Sequence, residues 1–203
     1  MPKGSEQLTR ARKEEIIDAC ASLYEAMGFK DITIRDIGEK TSFTRTSIYN
    51  YFQTKEEIFL GLLQREYEAW TCDLKAIVRD HETMSPDQFA EAIAHTLEKR
   101  GCMLKLLSMN LYDMEGNSRI ENLVDFKRVY ADSMKALTSC LEKFFPYMQE
   151  FLYAVYPFLF GIYPYTTATE KQKQAMDLAH IKYVNYSIYE ITVSFISKII
   201  RRK

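Results

Sequence analysis

The residues best suited to chemistry lie in one short stretch near the N-terminus, TRTSIYNYF. Arg45 carries a guanidinium fork that can bond two acceptors on guanine, and Asn50 carries an amide that can do the same on adenine. The methyl group of Thr46 can contact the methyl group of thymine. Ile48 and Phe52 are one helical turn apart and would share the opposite side. The stretch therefore predicts a short helix with one buried side and one side able to read base edges.

Three predicted helices would position this stretch. The first covers residues 6–27, where apolar residues recur at intervals of three and four, and Gly28 is expected to end it in the left-handed conformation. Two short helices follow at about 33–40 and 44–51. Because helices this short are marginal in water, both must dock on the first helix. This is the helix-turn-helix arrangement, in which the second short helix enters the DNA major groove.

The stretch FKDITIRDIGEKTSFTRTSIYNYFQTKEEIF, with the basic helix before it, resembles the DNA-binding domain of the TetR family of bacterial transcriptional regulators. The matching elements are Gly28 and Phe29, the Thr33 cap, Ile37, the Thr44 cap, Ile48 and Tyr49, Phe52, and Lys55 followed by acids and Ile58. The resemblance implies an all-α fold with an N-terminal three-helix helix-turn-helix DNA-binding domain and a larger C-terminal helical ligand-binding and dimerisation domain. We expect these domains to cover residues 1–54 and 55–203.

The predicted DNA contacts combine base readers with residues that fix register. They are Thr33, Thr44, Arg45, Thr46, Ser47, Tyr49, Asn50, Tyr51 and Lys55. In the family, the positions that match Thr33, Thr44, Tyr49 and Lys55 commonly bind phosphate, which positions a protein on the duplex without reading sequence. The same two threonines would also be good helix caps in any helical protein, and Tyr49 could be a half-buried surface aromatic residue. The N-terminal arm adds Lys3, Arg10, Arg12 and Lys13 as candidate phosphate or minor-groove contacts.

Net charge does not by itself indicate DNA binding. The 203 residues carry 27 basic and 28 acidic side chains, for a formal net charge of −1. Residues 1–55 hold nine Lys or Arg and eight Asp or Glu, a net of +1. Binding must therefore come from a local basic face. We expect it to depend strongly on salt, because phosphate contacts release counterions.

Long helices are predicted from residue 55 onward. Two of them, near residues 147–163 and 177–200, are implied by the resemblance to form a four-helix bundle with a second copy, and Pro157 is expected to bend or break the first. The last helix carries an apolar stripe of Ile181, Val184, Ile188, Ile191, Phe195 and Ile199. Burial within one subunit is the alternative. A two-fold homodimer would present two reading helices to a pseudo-palindromic operator.

Large, adaptable side chains in the helical body are candidates for lining a cavity that binds a small, largely apolar effector of unknown identity. They are Trp70, Met103, Met109, Tyr112, Phe126, Tyr130, Met134 and Phe158. For any single one of them, an ordinary core position is the alternative that the sequence favours.

Other functional classes find little support in the sequence. No Gly-rich phosphate loop, GxSxG or HExxH motif occurs, and neither the three histidines nor the four widely spaced cysteines show metal-ligand spacing. The most apolar run, FLYAVYPFLFGIY, is too short to span a bilayer, and the N-terminus lacks the apolar core of a signal peptide. We therefore expect no catalysis, cofactor, metal or membrane insertion, and a cytoplasmic location with reduced thiols.

The sequence predicts a ligand-responsive DNA-binding transcriptional regulator, most often a repressor in this family. A helical sensor or carrier of apolar molecules that does not bind DNA is the main alternative. An all-α enzyme is a further alternative that only scattered acids and histidines would support.

Overall fold

The computed structural model describes residues 3–148 and 150–201, without the side chains of residues 3 and 4, so the predicted contact from Lys3 lies outside it, as do the outermost residues of the two predicted domains. Within the described ranges the chain forms eleven helices and no strand, which confirms the all-α fold. The helices are α1 (Lys3–Ala26), α2 (Ile34–Glu39), α3 (Arg45–Ile48), α4 (Lys55–Asp80), α5 (Pro86–Glu98), α6 (Gly101–Gly116), α7 (Ile120–Phe144), α8 (Glu150–Gly161), α9 (Tyr163–Thr166), α10 (Glu170–Leu178) and α11 (Ile188–Ile200).

The chain divides into two compact units. The first contains Met1–Arg65 and Asn110–Val129, and the second contains Glu66–Met109 and Tyr130–Lys203. The first unit therefore holds the predicted helix-turn-helix segment together with the end of α6 and the first part of α7.

The core of the first unit joins α1, α2 and α3 to the start of α4. Ile48 and Phe52 are buried, with 0% and 5% of their surfaces exposed, as their spacing predicts. The ring of Phe59 packs edge-on against that of Tyr24, with 5.2 Å between centroids, and is tilted against that of Phe29, with 4.6 Å between centroids. These contacts supply the stability that helices as short as α2 and α3 lack in isolation.

Two local predictions in this unit are wrong. No described glycine has a positive φ, so Gly28 is not a left-handed cap. A Cβ at that position would lie 2.8 Å from a carboxylate oxygen of Asp31, so the absence of a side chain makes room for this acid. The reading helix also ends earlier than residue 51. Asn50 and Tyr51 donate their N–H groups to carbonyls three residues back, at 3.2 and 2.9 Å, so a tight turn follows Ile48.

The second unit is built on aromatic packing. The indole N–H of Trp70 donates to the hydroxyl of Thr96 at 3.0 Å, and both side chains are buried. Phe89 packs against Phe151 and against two neighbouring rings at the end of α7. Helix α11 packs on α5, and its fully buried positions include Ile196.

The predicted single helix over residues 177–200 is also wrong. Helix α10 ends at Leu178, and His180 adopts a left-handed φ of 57°. The N–H of Ile181 then bonds the carbonyl of Met176 at 2.9 Å, the backbone pattern that closes a helix at a left-handed residue. A new helix starts only at the Ser187 cap, whose hydroxyl and Glu190 satisfy each other's backbone N–H groups.

The predicted helix over residues 147–163 is only partly observed. Helix α8 covers Glu150–Gly161 and continues through Pro157, so the chain is not broken there. A separate turn of helix, α9, follows it. In the described part of the chain no helix is both long enough and apolar enough to span a membrane.

Candidate nucleic-acid interface

The turn between α2 and α3 is hydrogen-bonded to two side chains of α1. Glu15 accepts the backbone N–H of Ser42 at 2.5 Å, and Arg12 donates to the hydroxyl of Ser42 at 2.8 Å. The guanidinium of Arg12 also lies 4.6 Å from the centre of the Phe43 ring. The backbone hydrogen bond from Ser42 lowers the pKa of Glu15, so this carboxylate stays ionised at neutral pH. Arg12, a predicted DNA contact, thus contacts two residues of this turn within the protein.

Helices α2 and α3 approach closely at Gly38. A Cβ there would lie 3.3 Å from both the Cα and the Cβ of Arg45, nearer than side chains normally come. The lack of a side chain at Gly38 therefore sets how near the two helices can be.

The predicted reading residues lie on the solvent side of α3. Arg45, Thr46, Tyr49 and Asn50 are exposed, whereas Ile48 between them is buried. A guanidinium nitrogen of Arg45 lies 3.5 Å from the hydroxyl of Tyr49, at the limit of a hydrogen bond. The structure therefore brings the base-reading candidates together on one accessible side.

The two predicted threonine caps differ. Thr33 makes a complete capping box: its hydroxyl accepts the N–H of Asp36 at 3.3 Å, and the carboxylate of Asp36 accepts the N–H of Thr33 at 2.8 Å. Thr44 precedes α3 but makes no side-chain cap bond, and its exposed hydroxyl lies 3.1 Å from that of Ser47. Thr33 therefore has a structural role already, while Thr44 and Ser47 offer hydroxyls toward solvent.

Lys55 and Tyr51 make contacts inside the unit. The ammonium of Lys55 donates to the carbonyls of Phe29 at 2.8 Å and Ile32 at 3.1 Å, and it lies 4.6 Å from the Phe29 ring centre. The half-buried ring of Tyr51 packs 6.3 Å from that of Phe43. A lysine has three N–H donors, so one remains for a phosphate.

Sequence reasoning missed a buried ion pair at the start of α4. Only 1% of Glu57 is exposed, and its carboxylate accepts two side-chain hydrogen bonds from Arg119, at 2.7 and 2.8 Å. Burial by itself would raise the pKa of Glu57, but the bonds from Arg119 and from the N–H of Gln53 outweigh it and hold the pKa at about 2. The sequence indicated only an acid near a helix N-terminus, because its partner lies 62 residues away.

The eight predicted pocket residues differ in their surroundings and exposure. Met134 lines a cavity of about 400 Å³ between α7 and α8, and Phe158 lines one of about 810 Å³ formed by α8, α9, α10, α11 and the segment between the last two. Trp70, Met103 and Phe126 are buried, and Tyr130 packs against Tyr67 and Tyr156. Met109 and Tyr112 are instead 60% and 92% exposed.

Among the described side chains, no group of three or more histidines, cysteines and acids could hold a metal ion.

Two family models match the sequence over most of its length. One, described as "Bacterial regulatory proteins, tetR family", matches residues 16–62. The other, described as "Tetracyclin repressor-like, C-terminal domain", matches residues 64–197.

Curated relatives match less than half of this chain. The HTH-type transcriptional regulator YfiR of Bacillus subtilis is 30% identical over 63 residues, which are 31% of each chain. A HTH-type transcriptional repressor of Mycobacterium tuberculosis is 28% identical over 94 residues, 44% of this chain and 50% of the relative. The regulator RutR of Escherichia coli is 27% identical over 70 residues, 34% of this chain and 33% of its own. These alignments thus span from about a third to half of the relatives' lengths.

A solved structure shares the fold. The fatty acid degradation regulator FadR from Bacillus halodurans superposes with a TM-score of 0.60 over 93% of this chain and 94% of its own, at 12% sequence identity. Its helical architecture agrees with the family models and with the helix-turn-helix geometry above. The chain therefore belongs to the TetR family of bacterial regulatory proteins.

Proposed function

We propose that this chain is a sequence-specific DNA-binding transcriptional regulator that reads its operator with the exposed side of α3. The observation that carries the proposal is the placement of Arg45, Thr46 and Asn50 on the accessible side of a helix whose other side is buried through Ile48. Relatives named as HTH-type transcriptional regulators support it. In this proposal the three exposed residues contact base edges in the major groove.

Phosphate contacts would come from the residues around α3. Thr44, Ser47 and Tyr49 offer hydroxyls near its two ends, and Lys55 keeps one N–H donor. Thr33 and Tyr51 would contribute less through their side chains, since one completes a capping box and the other packs against Phe43. These contacts would set register and make binding depend on salt.

The regulator would act as a homodimer through α8 and α11. Four positions of the predicted stripe, Ile188, Ile191, Phe195 and Ile199, remain half-buried within one chain. Ile181 and Val184, on the segment before α11, are 57% and 46% exposed. A second copy would cover these groups and place two reading helices about one DNA turn, roughly 34 Å, apart.

The effector would be a small, largely apolar molecule that favours a dimer geometry unable to span successive major grooves, so that the repressor leaves its operator. The cavity of about 810 Å³ in the second unit supports this, because it falls within the ~300–1,000 Å³ typical of ligand sites. Val184 and Ile191, which the second copy would cover, also line this cavity, so the effector would bind beside the dimer contact. Helix α4 begins at Lys55, shortly after the reading helix α3, and continues into residues of the second unit. It is therefore our candidate for the element that transmits effector binding to α3.

The test of DNA binding is fluorescence anisotropy with the DNA upstream of the chain's own coding sequence, at low and high salt. Arg45→Ala should weaken operator binding by about 1–3 kcal/mol, the value of one bidentate base contact, which is roughly 5- to 140-fold in Kd. Tyr49→Phe should weaken it less, because only a hydroxyl is lost. Arg79→Ala is the control, since Arg79 is an exposed residue of the second unit that pairs with Asp80.

Unchanged affinity in Arg45→Ala would count against α3 as the reading helix. If the unmodified protein bound no DNA at either salt concentration yet bound an apolar fluorescent probe, the alternative of a sensor or carrier would replace the proposal.

A further inference from the structure

The carboxylate of Glu57 is held more tightly than the capping of one helix requires. It accepts the Nε–H and an Nη–H of Arg119 at 2.7 and 2.8 Å, the backbone N–H of Arg119 at 3.0 Å, and the backbone N–H of Gln53 at 2.8 Å. The side chain of Glu57 is 0% exposed. Such a two-pronged pair fixes angle as well as distance, because both partners are planar.

The contacts join two segments that are distant in the sequence. A further Nη–H of Arg119 reaches the carbonyl of Tyr51 at 3.4 Å. The hydroxyl of Thr54 donates to the carbonyl of Asn117 at 3.0 Å, while it accepts the N–H of Glu57 at 3.2 Å. We call this set of contacts between residues 51–57 and 117–119 the clamp.

The clamp lies directly beside the reading helix in the chain. Residue 51 is the last residue of the turn that follows α3, and residue 55 is the first of α4. The clamp therefore holds the chain as it leaves α3 at a backbone carbonyl, a backbone N–H and two side chains. A fixed exit matters because productive contacts tolerate errors of only about 0.5 Å.

Stability alone is a weak explanation for a buried ion pair. Removing two charges from water offsets much of their attraction, and apolar replacements are often as stable. Geometric constraint is the better explanation here, since the pair is bidentate and spans 62 residues of sequence. Arg119 already uses three of its five side-chain N–H donors on Glu57 and Tyr51, which leaves only the two N–H groups of its other terminal nitrogen for any further partner.

We propose that Arg119 and Glu57 are positioning residues for DNA binding, which hold residues 51–57 so that α3 keeps the orientation needed to read base edges. This inference rests on the proposed function and adds to it a residue far outside the helix-turn-helix segment. Neither residue contacts DNA.

The first measurement compares operator affinity with affinity for random-sequence DNA in Arg119→Ala, Arg119→Lys and Glu57→Gln. Each protein is assayed well below its own melting temperature, so that loss of folded protein does not affect the measured affinities. The ratio of the two affinities should fall at least tenfold in Arg119→Ala and Glu57→Gln. It should fall less in Arg119→Lys, which keeps the charge but not the fork. The control Arg128→Ala removes an exposed ion pair on α7, the helix that begins directly after Arg119, and should leave the ratio unchanged.

The second measurement needs no DNA. Amide hydrogen exchange over residues 45–55 should become at least tenfold faster in Arg119→Ala, while the buried amides of α1 keep their rate. The salt dependence of random-DNA binding should keep its slope, because Arg119 donates nothing to phosphate.

A lower melting temperature with an unchanged affinity ratio and unchanged exchange would overturn the proposal and make the clamp a stabilising element only. A salt slope reduced by about one would instead make Arg119 a phosphate contact. If Arg119→Ala does not fold, the conservative Arg119→Lys and Glu57→Gln decide by the same two readouts. If the unmodified protein prefers no DNA sequence, the proposed function fails, and hydrogen exchange still shows whether the clamp holds residues 45–55.

Discussion

The ion pair between Glu57 and Arg119 predicts a pH-dependent part of the stability that one substitution isolates. In Glu57→Gln the carboxylate becomes a neutral amide of nearly the same shape, and one of its atoms now presents N–H groups to the guanidinium. The pKa of Glu57 falls from an ordinary 4.5 to about 2 because hydrogen bonds to the ionised form outweigh burial. At about 1.4 kcal/mol per pH unit, this lowering corresponds to about 3 kcal/mol.

The direction in which stability changes with pH follows from the direction of the pKa shift of Glu57. Because the folded pKa of Glu57 lies below its ordinary value, the stabilisation is fully present above about pH 4.5 and is lost as the pH falls toward about 2. The free energy of unfolding should thus be about 3 kcal/mol higher in the unmodified protein than in Glu57→Gln near pH 7. The difference should shrink steadily below about pH 4.5.

Urea denaturation of both proteins at equal concentration, near neutral pH and at several acidic values, measures this difference. Other carboxylates with lowered pKa, such as Asp36 and Glu15, are present in both proteins and cancel. Asp125→Asn is the matched control, because its pair with Arg128 is 61% and 73% exposed and should contribute at most about 1 kcal/mol. A difference that stays constant from neutral pH to about pH 3, or no difference at neutral pH, would refute this reasoning.

Three further predictions concern packing and capping. Thr96→Val should lower the free energy of unfolding by about 1–3 kcal/mol, because the buried indole N–H of Trp70 loses its acceptor; chemical denaturation measures it. Ser187→Ala should cost about 1 kcal/mol by removing the cap of α11, which thermal unfolding and helix content would show. Gly38→Ala should weaken operator binding and lower the melting temperature, because the new Cβ presses on the backbone of α3 at 3.3 Å. Gly116→Ala is its control, since nothing lies within 4 Å of a Cβ there.

Thr96→Ser keeps an acceptor and should be close to the unmodified protein, so an equal loss in Thr96→Ser and Thr96→Val would dismiss the hydrogen bond as the cause. Ser187→Thr should retain most of the cap, and equal helix content in Ser187→Ala would show that the cap is dispensable. Equal operator affinity in Gly38→Ala and Gly116→Ala would show that α2 and α3 have room to separate.

Local patterns were sufficient to predict the helical class and the helix-turn-helix segment. Four-residue spacing placed Ile48 and Phe52 on a buried side, and the structure confirms that burial. The Thr33 cap is also confirmed, since its hydroxyl and Asp36 complete a capping box. These features depend on residues within one turn of each other, so the sequence carries all the information that they need. The DNA contacts themselves stay a prediction.

Errors arose where a short-range preference competed with a neighbouring one. The apolar stripe over residues 177–200 favoured one helix, but a left-handed residue and a strong cap seven residues apart in the chain divide it. A residue other than glycine rarely adopts a positive φ, so nothing in the spacing signalled the break at His180. The length of α3 was overestimated for a similar reason, because its last predicted turn closes with bonds to carbonyls three residues back.

The sequence by itself thus determined the helical class, the cap at Thr33 and the burial of Ile48 and Phe52. Only the tertiary structure decided how the charged groups are used: Arg12 holds the turn before α3, Lys55 bonds two carbonyls, and Arg119 reaches back to Glu57. The physical reason is that an ion pair or a backbone acceptor needs a partner within about 3 Å. Chain folding, rather than spacing along the sequence, brings such partners together.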